Sequence, residues 1–336
     1  MQTIRAGRTW VFLGVLAAAG LTIWGSSCRR SGEKTYRMRA ATPLAPQGTV
    51  GKALAKFCAD VEAKSGGRIR VEDFYIGELG NQRELVEMTH DGSLEVVTSL
   101  ASGTAALVPQ LALFEYPYVY KDEAHLVRVL DALEPEVSRL LAEHNFVAVG
   151  GQGMGFRHML NKTRPIMRPA DLQGLKMRGP NPIYVGMFKA LGANATTTDW
   201  GEIYGALQTG VIDGLEASPD MLYSMKFHEQ AKYLSKTSHI AACVYYMIRK
   251  NWLESLPADL QAVVLECARE AAAWQNALDV EVQAEALKTM EAEGVKINAV
   301  ADLAEFQAGL ADWKVDYVKS QGAQWQDLYD KITAVR

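Results

Sequence analysis

Five side chains suited to gripping a small polar molecule fall within residues 171–220: Arg178, Asn181, Trp200, Glu216 and Ser218. Each lies at the end of a short run of sequence. A guanidinium presents a rigid fork of donors that meets a carboxylate through two parallel, charge-assisted hydrogen bonds. Asn181 can cap a helix, and a helix N-terminus beside the arginine adds positive potential for the same anion. Two readings of Arg178 stand: it holds a ligand carboxylate, or it pairs with a structural Asp or Glu. Trp200 offers a flat apolar face and one N–H donor, which suits a sugar-like acid or plain core packing. Bond-making chemistry finds less support. The histidines form no H-E-x-x-H motif, no nucleophile elbow occurs, and the cysteine spacings fit neither zinc nor redox sites. After Gly151 and Gly153 the third glycine falls at Gly155, one residue short of the dinucleotide pattern, and a strand-like segment follows it.

Alternating strands and helices are needed to place such residues. LKMR reads as a short strand stopped by Gly179-Pro180. Asn181-Pro182 reads as N-cap and first helical residue. Ile183, Met187, Ala190 and Leu191 recur at helical spacing, and Gly192 supplies a left-handed stop. Asp199 and Glu202 read as a capping-box pair opening a second helix, with Ile203, Ala206 and Leu207 facing inward. Gly210 ends that helix, and VIDG (211–214) reads as a core strand with Asp213 capping a turn. This is the grammar of an α/β protein, in which ligands sit outside the carboxyl ends of strands beside helix N-termini. Arg178 and Asn181 belong to that rim.

Upstream, YRMRAAT, RIRVEDFYI and LEVVTSL read as strands separated by a helix to about Lys64 and a second over Gln82–Asp91. FVAVGGQGMGFRHMLN reads as strand, glycine-rich turn and strand, crossing between two domains. HIAACVYYMIRK (239–250) returns the chain. From Pro257 to about Gly294 runs one helix, capped by Ser255 and roughly 55 Å long, which exceeds either domain. Trp313, Tyr317, Trp325 and Tyr329, on the C-terminal helices, read as packing residues.

With 336 residues, 49% of them hydrophobic, the chain can bury the core of one large or two medium domains. A formal charge of −4, without a basic run interleaved with aromatics, argues against a nucleic-acid partner. Arg5 and Arg8 precede the apolar run Trp10–Trp24, which is shorter than the ~20 residues a membrane span takes. Gly-Ser-Ser-Cys follows. Residues 1–28 therefore read as a signal peptide with Cys28 as a lipid acceptor, although Gly25 stands where a lipobox has Leu. The body of the protein is expected in the periplasm, anchored through that lipid. Of the other cysteines, Cys58 and Cys267 sit on apolar helical stripes as buried free thiols. A disulfide between Cys243 and either of them stays open.

The pattern GLKMRGPNP, then ALGA, then DWGEIYGALQTGVIDGLE, then KFHEQAKYLSKTSH resembles the DctP-type solute-binding proteins of TRAP transporters. YIGELGNQRELVEMTHDGSLEVV, LALFEYPYVYKDEAHLVRVLD and SLPADLQAVVLECAREAAAWQ extend the likeness over roughly residues 36–300. The resemblance implies a two-lobed, periplasmic binding protein-like α/β fold with a long interdomain helix. Lobe I would be 36–155 plus 243–283, lobe II 156–242 plus 284–336, with the ligand cleft between them. It implies a receptor rather than an enzyme, with no cofactor and no metal. The receptor would be a monomer that captures an organic acid, preferably a hydroxylated monocarboxylate or sugar acid, for small and large integral membrane subunits. A sensor signalling to a partner, or an extracytoplasmic enzyme acting on organic acids, is the alternative. On this likeness Arg157 joins Arg178 as a second ligand-contacting arginine, and Trp200 lines the pocket floor. Glu216 either accepts ligand hydroxyls, holds a cation or pairs with an arginine. Asn181, Ser218, Thr42 and Gln152 complete the ligand set, with Gln47 or Ser99–Ser102 nearby. Ala217 departs from the family, which often carries Asn there, and His239 matches a structural histidine.

Overall fold

A computed structural model describes residues 34–336, of which Thr35–Arg336 form one compact unit. The expected signal peptide and Cys28 lie outside the described residues. Nine strands build one sheet. They are β1 (Tyr36–Ala41), β2 (Ile69–Phe74), β3 (Val96–Leu100), β4 (Phe146–Asn161), β5 (Lys176–Arg178), β6 (Asn194–Thr196), β7 (Gly214–Ala217), β8 (Tyr233–Arg249) and β9 (Lys296–Ala299). Their order is β2-β1-β3-β8-β4-β7-β5-β6, and β9 pairs with β8. β1 lies parallel to β2 and β3, and β5 lies parallel to β6 and β7, as helical crossovers require.

The two long strands change partners partway along. The C-terminal part of β8, Val244–Ile248, pairs with β3, whereas Tyr233–Lys236 pairs with β9. The start of β4 pairs with the end of β8, and His158–Asn161 pairs with β7. Between these halves the β4–β8 register slips at Val149/Gln152, Gly153/Phe156 and Arg157/Met159. The glycine-rich stretch is therefore no turn, as its composition suggests, but the irregular middle of one continuous strand. Gly150 (φ 65°) and Gly155 (φ 68°) take left-handed conformations there. A Cβ at Gly155 would sit 2.7 Å from Gln283 Cγ, so only glycine lets the strand bulge under the neighbouring helix.

That neighbour is the long helix Ala258–Ala292, about 52 Å from end to end. Its inward stripe begins apolar, with Leu260, Val264, Cys267 and Ala271, and turns polar at Gln275, Asp279 and Gln283. The change falls where the helix meets the bulged backbone. Gln275 Nε2 donates to Gly153 O (2.9 Å), Asn276 Nδ2 to Gly151 O (3.0 Å), and Asn276 Oδ1 accepts from Gly153 N (2.8 Å). Backbone groups that leave the ladder at the bulges thus find partners on the helix.

Three local expectations are corrected. The long helix has Pro257, not Ser255, at its N-cap, and Ser255 Oγ donates to Trp252 O to close the preceding short helix. VIDG is not the strand. Val211 is exposed and Ile212 alone of that pair is buried, so pairing starts only at Gly214. Asp199 makes no side-chain cap, because residues 200–202 form a 3₁₀ turn before the helix Ile203–Thr209 begins. Cys58, Cys243 and Cys267 are buried free thiols. The C-terminal aromatics pack as expected, with Trp313 stacked on Tyr116 at 5.6 Å and Tyr329 meeting it edge-on at 5.9 Å.

Candidate functional site

β5 delivers Arg178 to the sheet's carboxyl rim, and Gly179-Pro180 turns the chain into the helix Pro182–Ala190. Asn181 caps that helix, its Oδ1 accepting from Ile183 N (2.9 Å) and Tyr184 N (3.3 Å). Its Nδ2 is buried and has no partner among the described residues. Arg178 is 4% exposed. Its Nε donates to Thr198 O at 2.9 Å, and its guanidinium carbon lies 5.6 Å from the Trp200 ring centre. Among the described residues no carboxylate stands within ion-pair distance of it. Burial, which opposes the charge, pulls the Arg178 pKa down to about 10, with Arg157 adding repulsion and Glu216 partly offsetting both. At neutral pH it is still a cation, with no counter-ion among the described residues.

Arg157 has the opposite status. Its Nη2 donates to Glu216 Oε1 (2.8 Å) and to Glu216 O (2.9 Å), and its Nε also binds the Glu216 carboxylate. Arg157 and Glu216 are 3% and 0% exposed. Burial opposes both charges, but their mutual attraction outweighs it, raising the Arg157 pKa and holding the Glu216 carboxyl below its usual range. Of the alternatives left open for Glu216, the geometry takes the pairing with Arg157. Around the pair, Tyr184 lies 5.5 Å from Arg157 and donates to Glu115 Oε2 at 2.8 Å. His239, its pKa lowered by burial, sits 3.7 Å from Glu216 and shares a hydrogen bond with Thr237 Oγ1 (2.8 Å).

Two neighbouring spaces with shared walls open in front of these residues. An inner cavity of about 20 Å³ touches both arginines, with Gln82, Ser102, Trp200 and Met221. That volume admits one water-sized group, such as a carboxylate oxygen. Outward, a cleft of about 690 Å³ shares Arg178, Gln82, Ser102 and Trp200 and continues to Asn181, Asn81 and Asp199. Trp200 also presents a buried Nε1 that has no partner among the described residues, its ring set edge-on to Phe227 at 5.0 Å.

The other expected site residues are placed differently. Thr42 is fully buried, accepts from Leu44 N (3.3 Å), and leaves its neighbours Pro43 and Leu44 to line the inner cavity. Gln152 is buried in the bulged part of β4, and Ser218 is buried at the end of β7; both have unpartnered polar atoms, and neither lines these two spaces. Gln47 is exposed outside them, and Ser99 is tied up by Gln82 Nε2 (3.2 Å). Of the segment 99–102, Ser102 faces the cleft. Gln82 is the residue that sequence reasoning passed over. It follows the Asn81 cap of the helix Gln82–Asp91, a position read only as a helix start, and it packs directly over Gly103. Among the described residues no His, Cys, Asp or Glu group is arranged to hold a metal, and no helix is long and apolar enough to cross a membrane.

Known proteins resemble this chain in sequence and in fold. A solute-binding protein of Verminephrobacter eiseniae is 32% identical over 85% of this chain and 86% of its own length. A TRAP periplasmic solute-binding protein of Chromohalobacter salexigens, solved with D-glucuronate, superposes with a TM-score of 0.85 at 30% identity, covering 89% of this chain and all of that one. Another from a Sulfitobacter species, solved with β-D-galacturonate, gives a TM-score of 0.85 at 27% identity over 88% of this chain and 99% of its own. These neighbours have the two-lobed α/β fold. The family model for bacterial extracellular solute-binding proteins of family 7 matches residues 40–319. With that match over most of its length, the chain belongs to the DctP family, family 7 of the bacterial extracellular solute-binding proteins.

Proposed function

We propose that this chain is the extracytoplasmic receptor of a TRAP secondary transporter and captures a hydroxylated monocarboxylate, a sugar acid such as a uronate. One observation carries the reading: Arg178 is a buried cation with no ion-pair partner among the described residues, facing a cleft. A desolvated charge left unpaired is unfavourable, and an arriving carboxylate relieves it. Around it stand further donors with no partner among the described residues, the Trp200 N–H and the Asn181 amide, which call for a ligand rich in acceptors. Trp200 adds a platform for the apolar face of a pyranose. The relatives solved with D-glucuronate and β-D-galacturonate carry ligands of that class.

In this reading lobe I is 36–155 plus 243–283 and lobe II is 156–242 plus 284–336. The change of strand partners along β4 and β8 supports the division. Ligand drives closure only by binding both lobes, since a ligand shifts an equilibrium by its differential affinity. Lobe II offers Arg178, Asn181 and Trp200, and lobe I offers Gln82 and Ser102. Arg157 works behind Arg178, fixed by Glu216, rather than as an open second clamp. The site is a binding site without a reacting group, and its partners are the small and large membrane subunits. A periplasmic monomer tethered through Cys28 fits this role. Isothermal titration calorimetry against D-glucuronate, D-galacturonate and D-galactonate tests it. At least one is expected to bind with micromolar or tighter affinity, and Arg178→Ala to abolish the signal. Silence from all sugar acids, or undiminished binding by the variant, refutes the reading.

A further inference from the structure

Asp199 stands where a helix-capping carboxylate belongs, yet its side chain accepts no hydrogen bond from the turn it precedes. It is exposed and lines the cleft one residue beyond Thr198, whose carbonyl anchors Arg178. One oxygen, Oδ2, accepts from Asn81 Nδ2 at 3.3 Å, a contact between segments 118 residues apart. The other has no hydrogen-bond partner among the described residues. Glu202 adds a second acid to the same lining, while Arg83, a cation there, is already paired with Glu87 at 2.7 Å. Glu216, the acid that sequence reasoning placed in contact with ligand hydroxyls, is sealed behind Arg157. Among the described residues the cleft therefore has one cation without an ion pair, Arg178, and two acids without one, Asp199 and Glu202, of which Asp199 is close enough to act on Arg178 electrostatically.

We propose that Asp199 is the specificity-determining residue of this cleft, accepting hydrogen bonds from ligand hydroxyls and repelling a second carboxylate, so that monoacids bind and matching diacids are turned away. The inference rests on the sugar-acid reading above and adds the residue that enforces single-charge selection. A diacid can place one carboxylate on Arg178. Its second must then share the remaining space with Asp199 and Glu202, where among the described residues of the lining the only other cation, Arg83, is exposed and pairs with Glu87. Like charges a few ångströms apart in a partly dry cleft disfavour binding by about tenfold or more. A hydroxyl in the same place donates to the Asp199 carboxylate or to water.

D-Glucuronate carries one carboxylate on a pyranose ring and D-glucarate two on an open chain of the same carbons, so calorimetric titration of both, in wild type and in Asp199→Asn to separate charge from shape, is the test. The wild-type protein is expected to bind glucuronate at least about tenfold more tightly than glucarate. Asp199→Asn keeps the shape and removes the charge, and it is expected to reduce that ratio about tenfold, mainly by improving glucarate binding. Asn81→Ala removes the tether but not the charge, and is expected to leave the ratio within about twofold of wild type. Equal wild-type affinities for the two acids, or an unchanged ratio in Asp199→Asn, overturns the inference while leaving the receptor reading intact. A ratio lost equally in both variants assigns the effect to the tether and also overturns it. Failure of the wild-type protein to bind any sugar acid removes the receptor reading and this inference with it.

Discussion

Replacing Arg178 by methionine changes one side chain and drives two quantities in opposite directions. Without ligand, Arg178 is 4% exposed, and among the described residues its guanidinium makes one hydrogen bond, to Thr198 O. Burial pulls its pKa down from the usual arginine range to about 10. At 1.36 kcal/mol per unit that corresponds to about 3 kcal/mol of unrelieved desolvation. The sign is that of a base with a depressed folded-state pKa, charged in both states at pH 7 and therefore destabilising there. Methionine has similar bulk, removes this strain and forfeits one hydrogen bond of about 1 kcal/mol. The empty variant is expected to be more stable by about 1–2 kcal/mol in urea unfolding. Ligand affinity moves the other way. Loss of a buried partner for a bound carboxylate weakens binding by about 3–5 kcal/mol, or two to four orders of magnitude in Kd. Denaturant titration with and without D-glucuronate reads both effects in one series. Wild type should gain stability with ligand, and the variant should start higher and gain nothing. A less stable empty variant would mean that Arg178 has an internal counter-charge, and the reasoning from an unpaired cation would be refuted.

Glu216→Gln strands Arg157 in a fully buried position, and a loss of about 3–5 kcal/mol is expected in urea unfolding at pH 7. Because the folded Glu216 pKa is depressed, its contribution is present above the ordinary carboxylate pKa and is lost as pH falls through the lower folded value; the variant's acid limb should be correspondingly flatter. Asp279 behaves in the reverse sense. Burial pushes its pKa up to about 6, so the stability it contributes is fully present below the unfolded value of 3.8 and is lost as pH rises through about 6. Asp279→Asn should therefore be more stable than wild type at pH 7.5, by up to about 3 kcal/mol, with the difference closing near pH 4. Gly155→Ala forces a Cβ against Gln283 at a φ of 68° and should lower Tm through a loss of about 2 kcal/mol or more, read by calorimetry.

Much of this protein is written in neighbouring residues. Asn181-Pro182 starts a helix that Gly192 ends, Gly210 ends the next one, and the Leu260–Val264–Cys267–Ala271 stripe marks a long one, because caps and periodicity act within a turn or two. The rim position of Arg178 follows from the same local punctuation. What neighbours could not settle is where partners arrive from far along the chain. GGQGMG looks like a turn, yet it stays a strand because Gln275, Asn276 and Gln283, some 120 residues later, satisfy its bulged backbone. Nothing near Arg157 says that Glu216 will claim it, and nothing near Arg178 says that no acid will. Asp199 has the sequence of a cap and the surroundings of a cleft wall, with Asn81 brought to it from another helix. Local backbone geometry depends on residues a few positions apart and can be read in order. Which charge is neutralised, and which is left facing open space, depends on how distant segments pack, and only the folded chain brings those segments together.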